Sequence, residues 1–404
     1  MSQKVETSKY IITTALMGFG HMRAAHNIAG YGHAAVVRVD REPYVGRVDK
    51  IIWNGAQNTH TQASREADGK NKLLYNWFEG ILRIPEGNTP PSMAASKFVH
   101  VLDKFGMGRP FFDSLDGQVP SLLHTFYLHA MFSVYRKYPG KNFLLLCDTD
   151  FHRVWVPVDP KAGSIEYMVP ISKSADRLVS YGVRPERIHV TGFPLPVADT
   201  GAKDMHTLVS TLDARKGRLR RDSQAPLSIM FPFSGSGAYF NAFEELVKSM
   251  FDQIKDGSLC LVVSCGDNDK VFADVERLFN RYGLYDSEQV QIIFDRDIFH
   301  SFDLFNEALK STDLVITKPS EMVFYAALGI PMLFLPPIGA HEAGNREYLI
   351  DNGCAVDLPE ISGFPKWLAE NRTNERLLSL AEMGYRNLPK TGAFDIHELV
   401  VGGE

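Results

Sequence analysis

A glycine turn and a histidine carry the first candidate chemistry. Gly18-Phe19-Gly20-His21-Met22-Arg23 follows an apolar run at 10–17 and leads into a helical stretch. A histidine at a helix start meets the positive end of the helix dipole, which disfavours its protonation. The resulting neutral imidazole suits a general base; the plain alternative is a histidine that merely starts a helix. The same turn begins like a dinucleotide fingerprint. Asp40 lies 22 residues after Gly18, where the ribose-binding acid of an NAD site would sit. Arg23 stands at the third glycine position, so that match is partial.

Asp148-Thr149-Asp150 follows a second apolar run, 142–147. A strand ending in Asp-x-Asp can hold a divalent ion that bridges a nucleotide diphosphate. In the other reading, Asp150, His152 and Trp155 line an acceptor pocket at the strand's carboxyl edge. Solvated acids at a strand end are the plain alternative.

Three further loops each follow an apolar run. Ser234-Gly235-Ser236-Gly237-Ala238 is built of small residues that let backbone N–H groups approach a phosphate. Lys318-Pro319-Ser320-Glu321 precedes a helical stretch at 322–328, whose N-terminus suits a diphosphate. Gly339-Ala340-His341-Glu342-Ala343-Gly344-Asn345 follows the next run in the same way. Ligands of open α/β sheets bind at the carboxyl edge, so three loops converging there are stronger evidence than any one.

These residues need a scaffold to position them. Strands are expected at 10–17, 34–39, 142–147, 166–169 and 187–190, with helices near 119–137 and at 172–181. A second series has strands at 227–231, 259–264, 290–294, 314–317 and 331–335, with helices between. Short apolar runs alternating with amphipathic helices imply parallel α/β sheets. The expected organisation is an N-terminal domain at 1–200, a linker at 201–225 and a C-terminal domain at 226–404, the last helix crossing back. A helical and loop insertion is expected at about 50–140, rich in aromatics (Tyr75, Trp77, Phe78, with Ile81 and Leu82). The fold class is α/β, two Rossmann-like domains facing a central cleft.

Composition agrees and excludes other classes. The chain has 404 residues, with 45% hydrophobic and 23% charged, enough for two or three globular domains. A net charge of −5 excludes a globally basic nucleic-acid coat. Four cysteines without a CxxC pair argue against a disulfide framework or a zinc finger. Neither a signal peptide nor a transmembrane run is visible, so a cytoplasmic location is expected. The basic cluster Arg215, Lys216, Arg218, Arg220 and Arg221, with the aromatics, keeps contact with the inner membrane face open.

Together the motifs resemble the GT-B glycosyltransferases of the group containing monogalactosyldiacylglycerol synthases, processive diacylglycerol glucosyltransferases and MurG. GFGHMRAA at 18–25 is similar to the group's glycine-rich GxGH turn, and TDFHRVW at 149–155 to its TD…H..W segment. The run YMVPISKSADRLVSYGVRPERIHVTGFPL at 167–195 and EAGNREYLIDNGCA at 342–355 are similar to further family segments. The chain departs from the family's KPGG…EA pattern. It reads KPSEMVFYAA, with Glu321 for the second glycine and Ala326 where a ribose-binding glutamate would stand. The family's Gln-Glu pair is His341-Glu342 here.

The resemblance implies inverting transfer from a nucleotide sugar, usually a UDP-sugar, to an acceptor hydroxyl, with no cofactor and no essential metal. His21 would be the base, with Asp150 orienting or stabilising its imidazolium. Gly20, Gly235, Ser236, Gly237, Lys318, Ser320, Glu321, His341, Glu342 and Asn345 would bind the donor. Arg23, His152 and Trp155 would bind the acceptor, a lipid, glycan or small molecule. The competing readings are a nucleotide-sugar epimerase or hydrolase on the same fold, an NAD-dependent oxidoreductase, and a non-catalytic nucleotide-sugar sensor.

Overall fold

The computed structural model describes residues 9–66, 93–161, 163–201, 205–233, 235, 237–337 and 340–402. Tyr75, Trp77, Phe78, Ile81, Leu82 and Ser236 lie outside the described residues. The chain divides into two compact units. The first takes Met1–Leu195, Gly339–His341 and Thr391–Glu404; the second takes Pro196–Ile338 and Glu342–Lys390.

The first unit carries a six-stranded sheet of β1 (Tyr10–Thr14), β2 (Ala35–Arg38), β3 (Ser121–His124), β4 (Asn142–Leu145), β5 (Ile165–Val169) and β6 (Ile188–Val190). Their order is β2-β1-β3-β4-β5-β6, with every pair parallel. The chain reverses direction across the sheet between β1 and β3, a crevice where such sheets bind ligands. Central strands β1 and β4 are buried along their whole length, which explains their continuous apolar runs. The helix expected near 119–137 is in fact β3 followed by the helix Tyr127–Tyr135. The four residues Ser-Leu-Leu-His are too few to show a period, so pairing with β1 and β4 decides their state. The last helix, Gly392–Val401, packs in this unit. Tyr31 meets Phe394 edge-on at 4.5 Å, and the Tyr10 hydroxyl lies 3.1 Å from Nδ1 of His397.

The second unit repeats the plan with β7 (Leu227–Pro232), β8 (Leu259–Gly266), β9 (Val290–Phe294), β10 (Leu314–Thr317), β11 (Met332–Phe334) and β12 (Ala355–Asp357). The order is β12-β11-β10-β7-β8-β9, again all parallel. The architecture is therefore two Rossmann-like units, the GT-B class.

The expected linker at 201–225 is mostly the helix His206–Leu219, built into the second unit. Arg215 is 1% exposed and donates to the carbonyls of Thr312, Leu328 and Leu309 at 2.6–2.8 Å. Buried carbonyls at element ends need donors, and a long planar guanidinium reaches three at once. Arg218 pairs with Asp313 at 2.7 Å and Lys216 with Glu382 at 2.8 Å. These three cations hold the second unit together, so they are not the anionic-membrane contact the sequence suggested. Among the described residues no helix is long and apolar enough to cross a membrane.

Candidate functional site

In the first unit the site forms beside the reversal between β1 and β3. The chain leaves β1, turns at Gly18, whose φ of +88° suits glycine, and enters the helix Gly20–Gly32. His21 is the second residue of that helix. Its ring sits 5.1 Å from Phe126 and 5.6 Å from Trp155, centroid to centroid. Nδ1 is buried and accepts or donates no hydrogen bond among the described residues. Burial pushes its pKa down to about 4; the Asp148 charge and a hydrogen bond to the Thr125 backbone oppose that shift. At neutral pH the ring is uncharged and holds a lone pair able to accept a proton.

The carboxylates after β4 divide their work differently from the sequence expectation. Asp150 takes the Arg177 guanidinium on both oxygens at 2.7 Å and the backbone N–H of Phe151 at 2.9 Å. A carboxylate held in this two-pronged way is locked in place. It is not available to orient His21 or to bridge a metal ion. The carboxylate whose charge acts on His21 is Asp148. Spacing along the sequence held no signal for Arg177, because the pair spans 27 residues and forms through tertiary packing.

Three residues were expected to meet an acceptor. Trp155 is 8% exposed, with its ring tilted against His21 and Tyr127 and edge-on to Phe126. Arg23 is 3% exposed on the inward face of the same helix as His21. Trp155 therefore forms a wall beside His21, and Arg23 is buried on the inward face of the helix. His152 is half-buried, and burial holds its imidazole at about 3, so it too is neutral. Gly20 is buried at the first position of the helix, in this unit rather than with the other expected donor residues. Asp40, the acid an NAD site would turn to ribose, is spent on Arg38 at 2.7 Å and on Gln57 at 3.2 Å.

In the second unit the three loops follow β7, β10 and β11, which are neighbours in the sheet. The Gly235 carbonyl accepts from the Asn268 side-chain amide at 2.9 Å. The Asn268 side-chain oxygen also caps the helix Asp269–Tyr282. Gly237 has φ +70°, and a Cβ there would come within 2.7 Å of Val271. The turn is thus tied to the next helix by backbone and can tolerate only glycine at 237.

At the ends of β10 and β11, Lys318 pairs with Glu342, whose residue is 1% exposed. The fully buried Asn345 donates to the Pro319 carbonyl at 3.2 Å. Ser320 is half-buried and receives Val323 N–H on its carbonyl at 3.1 Å. These contacts bind the KPSE turn to the helix Ala340–Asp351. His341 lies in the first turn of that helix and is counted with the first unit. The Glu321 side chain lies outside the described residues.

The stretch after Ser320 corrects another expectation. It is a 3-10 run, Glu321–Leu328, and residues 322–328 are at most 4% exposed. Ala326 is wholly buried. The seven buried side chains of 322–328 have no exposed face to offer a ribose. Among the described residues no three His, Cys, Asp or Glu side chains cluster so as to hold a metal ion.

Comparisons place this geometry. A family model described as "Domain of unknown function (DUF6938)" matches residues 202–289 and 279–355. A processive diacylglycerol beta-glucosyltransferase of Bacillus subtilis is 20% identical over 361 residues, covering 86% of this chain and 82% of that protein. The solved structure of S. aureus MnaA with UDP covers 97% of this chain and 94% of its own, at 14% identity and a TM-score of 0.53. The UDP-GlcNAc 2-epimerase from Neisseria meningitidis, solved with UDP-GlcNAc, covers 98% and 100% at 11% identity and a TM-score of 0.50. The chain is a distant sequence relative of the processive diacylglycerol glucosyltransferases, built on the two-Rossmann-domain GT-B architecture.

Proposed function

We propose that the chain is a glycosyltransferase that moves a hexose, with inversion, from a UDP-sugar to a hydroxyl of a lipid or glycan acceptor. The observation that carries this reading is His21: an uncharged imidazole at the β1–β3 reversal, beside the Asp148 charge. An acceptor hydroxyl is a weak nucleophile at neutral pH, and a base must take its proton as it attacks the anomeric carbon. His21 takes that proton, and Asp148 stabilises the imidazolium that forms. The leaving UDP gains negative charge. Backbone N–H groups of Gly235 and Gly237 and the Lys318 ammonium meet that charge without a metal ion. Glu342 and Asn345 hold the Lys318 turn in register.

A thermal-shift panel with UDP, GDP, dTDP, ADP and NAD, each with and without EDTA, tests the donor assignment. A ligand at 100 times its Kd stabilises the fold by ~2.7 kcal/mol. A shift with UDP that survives EDTA is the expected result. A shift with NAD alone overturns the reading. Consumption of the UDP-sugar with no acceptor present replaces transfer by epimerisation or hydrolysis.

A further inference from the structure

A buried polar network joins the ends of β1 and β3 beside His21. β1 ends on Thr13-Thr14, and β3 ends on His124 with Thr125 next in the chain. All four residues are at most 1% exposed. Thr13 stands opposite His124 in the parallel register, so Thr14 and Thr125 are the next pair outward. Both pairs are linked through their side chains. The Thr13 hydroxyl lies 2.6 Å from Nδ1 of His124, and the Thr125 hydroxyl donates to the Thr14 hydroxyl at 2.9 Å. Successive side chains of a strand point to opposite faces, so the two links brace the strand ends from both sides of the sheet.

The backbone tightens the same corner. The Thr125 N–H donates to the Thr13 carbonyl at 3.0 Å, and the Thr14 carbonyl accepts from the Val39 N–H at 3.0 Å. Fully buried hydroxyls hold strands together no better than valines of the same shape. What they add is a fixed direction for the chain that follows. With its N–H committed to Thr13, Thr125 meets the His21 ring through its carbonyl. A carbonyl only accepts, so the ring must donate an N–H to it. The other ring nitrogen of a neutral imidazole then carries the lone pair.

We propose that Thr14 and Thr125 are positioning residues: their hydroxyl bond fixes the Thr125 carbonyl, which holds the His21 imidazole in one neutral tautomer with its lone pair left for the acceptor proton. The catalytic consequence rests on the reading of His21 as the base. The tautomer itself does not, so the two can fail separately.

The test pairs a spectrum with kinetics. In protein carrying ¹⁵N-histidine, the His21 ring signals are assigned by their loss in His21→Ala. At pH 7 the wild type should show one protonated and one bare ring nitrogen, the signature of a single tautomer. In T14V/T125V the two shifts should move together as the tautomers mix. That variant replaces both hydroxyls by methyls of the same shape, orphans neither partner and should keep the wild-type thermal midpoint. Its kcat should fall ~10-fold or more with KM for donor and acceptor unchanged, the mark of a misplaced base. Thr125→Ser keeps the hydroxyl and should restore both the spectrum and kcat. Averaged ring shifts in the wild type overturn the proposal, whether or not the double variant folds. So does T14V/T125V with wild-type kcat and spectrum, or Thr125→Ser as slow as Thr125→Val. A wild type without transferase activity that still shows the single tautomer, lost in T14V/T125V, sinks the functional reading and leaves the positioning intact.

Discussion

With His21 as the proposed base, its environment dictates the acid limb of the pH profile. Burial between Phe126 and Trp155 lowers its pKa to about 4, and the Asp148 charge keeps it from falling further. A base with that value is ~97% unprotonated at pH 5.5, whereas an ordinary histidine at 6.5 would be only ~9% unprotonated. kcat/KM should thus hold nearly level from pH 7.5 to 5.5, where an ordinary histidine base would lose about ten-fold. The assay is initial rates of UDP release across that range with a fixed acceptor, with circular dichroism at each pH to confirm the fold. In His21→Ala the rate should fall by at least ~10² at every pH, the low end of what a general base contributes. An acid limb centred between pH 6 and 7, or a His21→Ala rate within a few-fold of wild type, would refute the argument.

Other expectations follow from the same contacts. Asp148→Asn removes the charge that favours protonated His21, so kcat should drop ~10-fold or more while the thermal midpoint barely moves. Asp150→Asn breaks the two-pronged Arg177 pair and should show the reverse balance, a loss of about 1–3 kcal/mol in urea unfolding; equal effects from the two would count against the division. His124 is fully buried with Nδ1 2.6 Å from the Thr13 hydroxyl, and burial lowers it to about 3. The unfolded chain therefore binds this proton more readily; the stabilisation is complete above pH 6.5 and is lost as pH falls toward 3. His124 alone should cost ~2 kcal/mol between pH 6.5 and 5. Asp199, raised to about 8 by burial, acts in the opposite direction, so the check is the difference between the two proteins: stability should rise less, or fall more, with increasing pH in His124→Asn than in wild type, and parallel slopes would refute it. Lys318→Ala leaves Glu342 without its ammonium partner at a 1%-exposed position. It should cost about 3 kcal/mol, and Lys318→Ala with Glu342→Gln should recover part of that; no loss in the single variant would show the pair to be idle.

The two-sheet plan was legible because parallel strands buried on both faces read as continuous apolar runs. β7, β8 and β10 coincide with such runs. β3 and β12, with four and three residues, carry too little pattern and depend on their sheet neighbours. Helix His206–Leu219 read as a linker because its charges hid which of them point inward.

The candidate site shows the same boundary. The GxGH turn, the loops after β7, β10 and β11, and the 342–355 segment were visible in the residues themselves. Local chemistry, the freedom of glycine and the start of a helix, determines them. Partner choice was not visible. Asp148 and Asp150 stand two positions apart and are chemically identical, yet one meets Arg177 and the other acts on His21. Arg177 comes from the helix Ser172–Ser180, and Thr125 and Phe126 from the turn that follows β3. Whether a histidine is base or filler turns on how much water surrounds it, and burial is set by packing between segments distant in sequence. That is why sequence alone named His21, while the tertiary structure decided its charge, its carboxylate and its supporting walls.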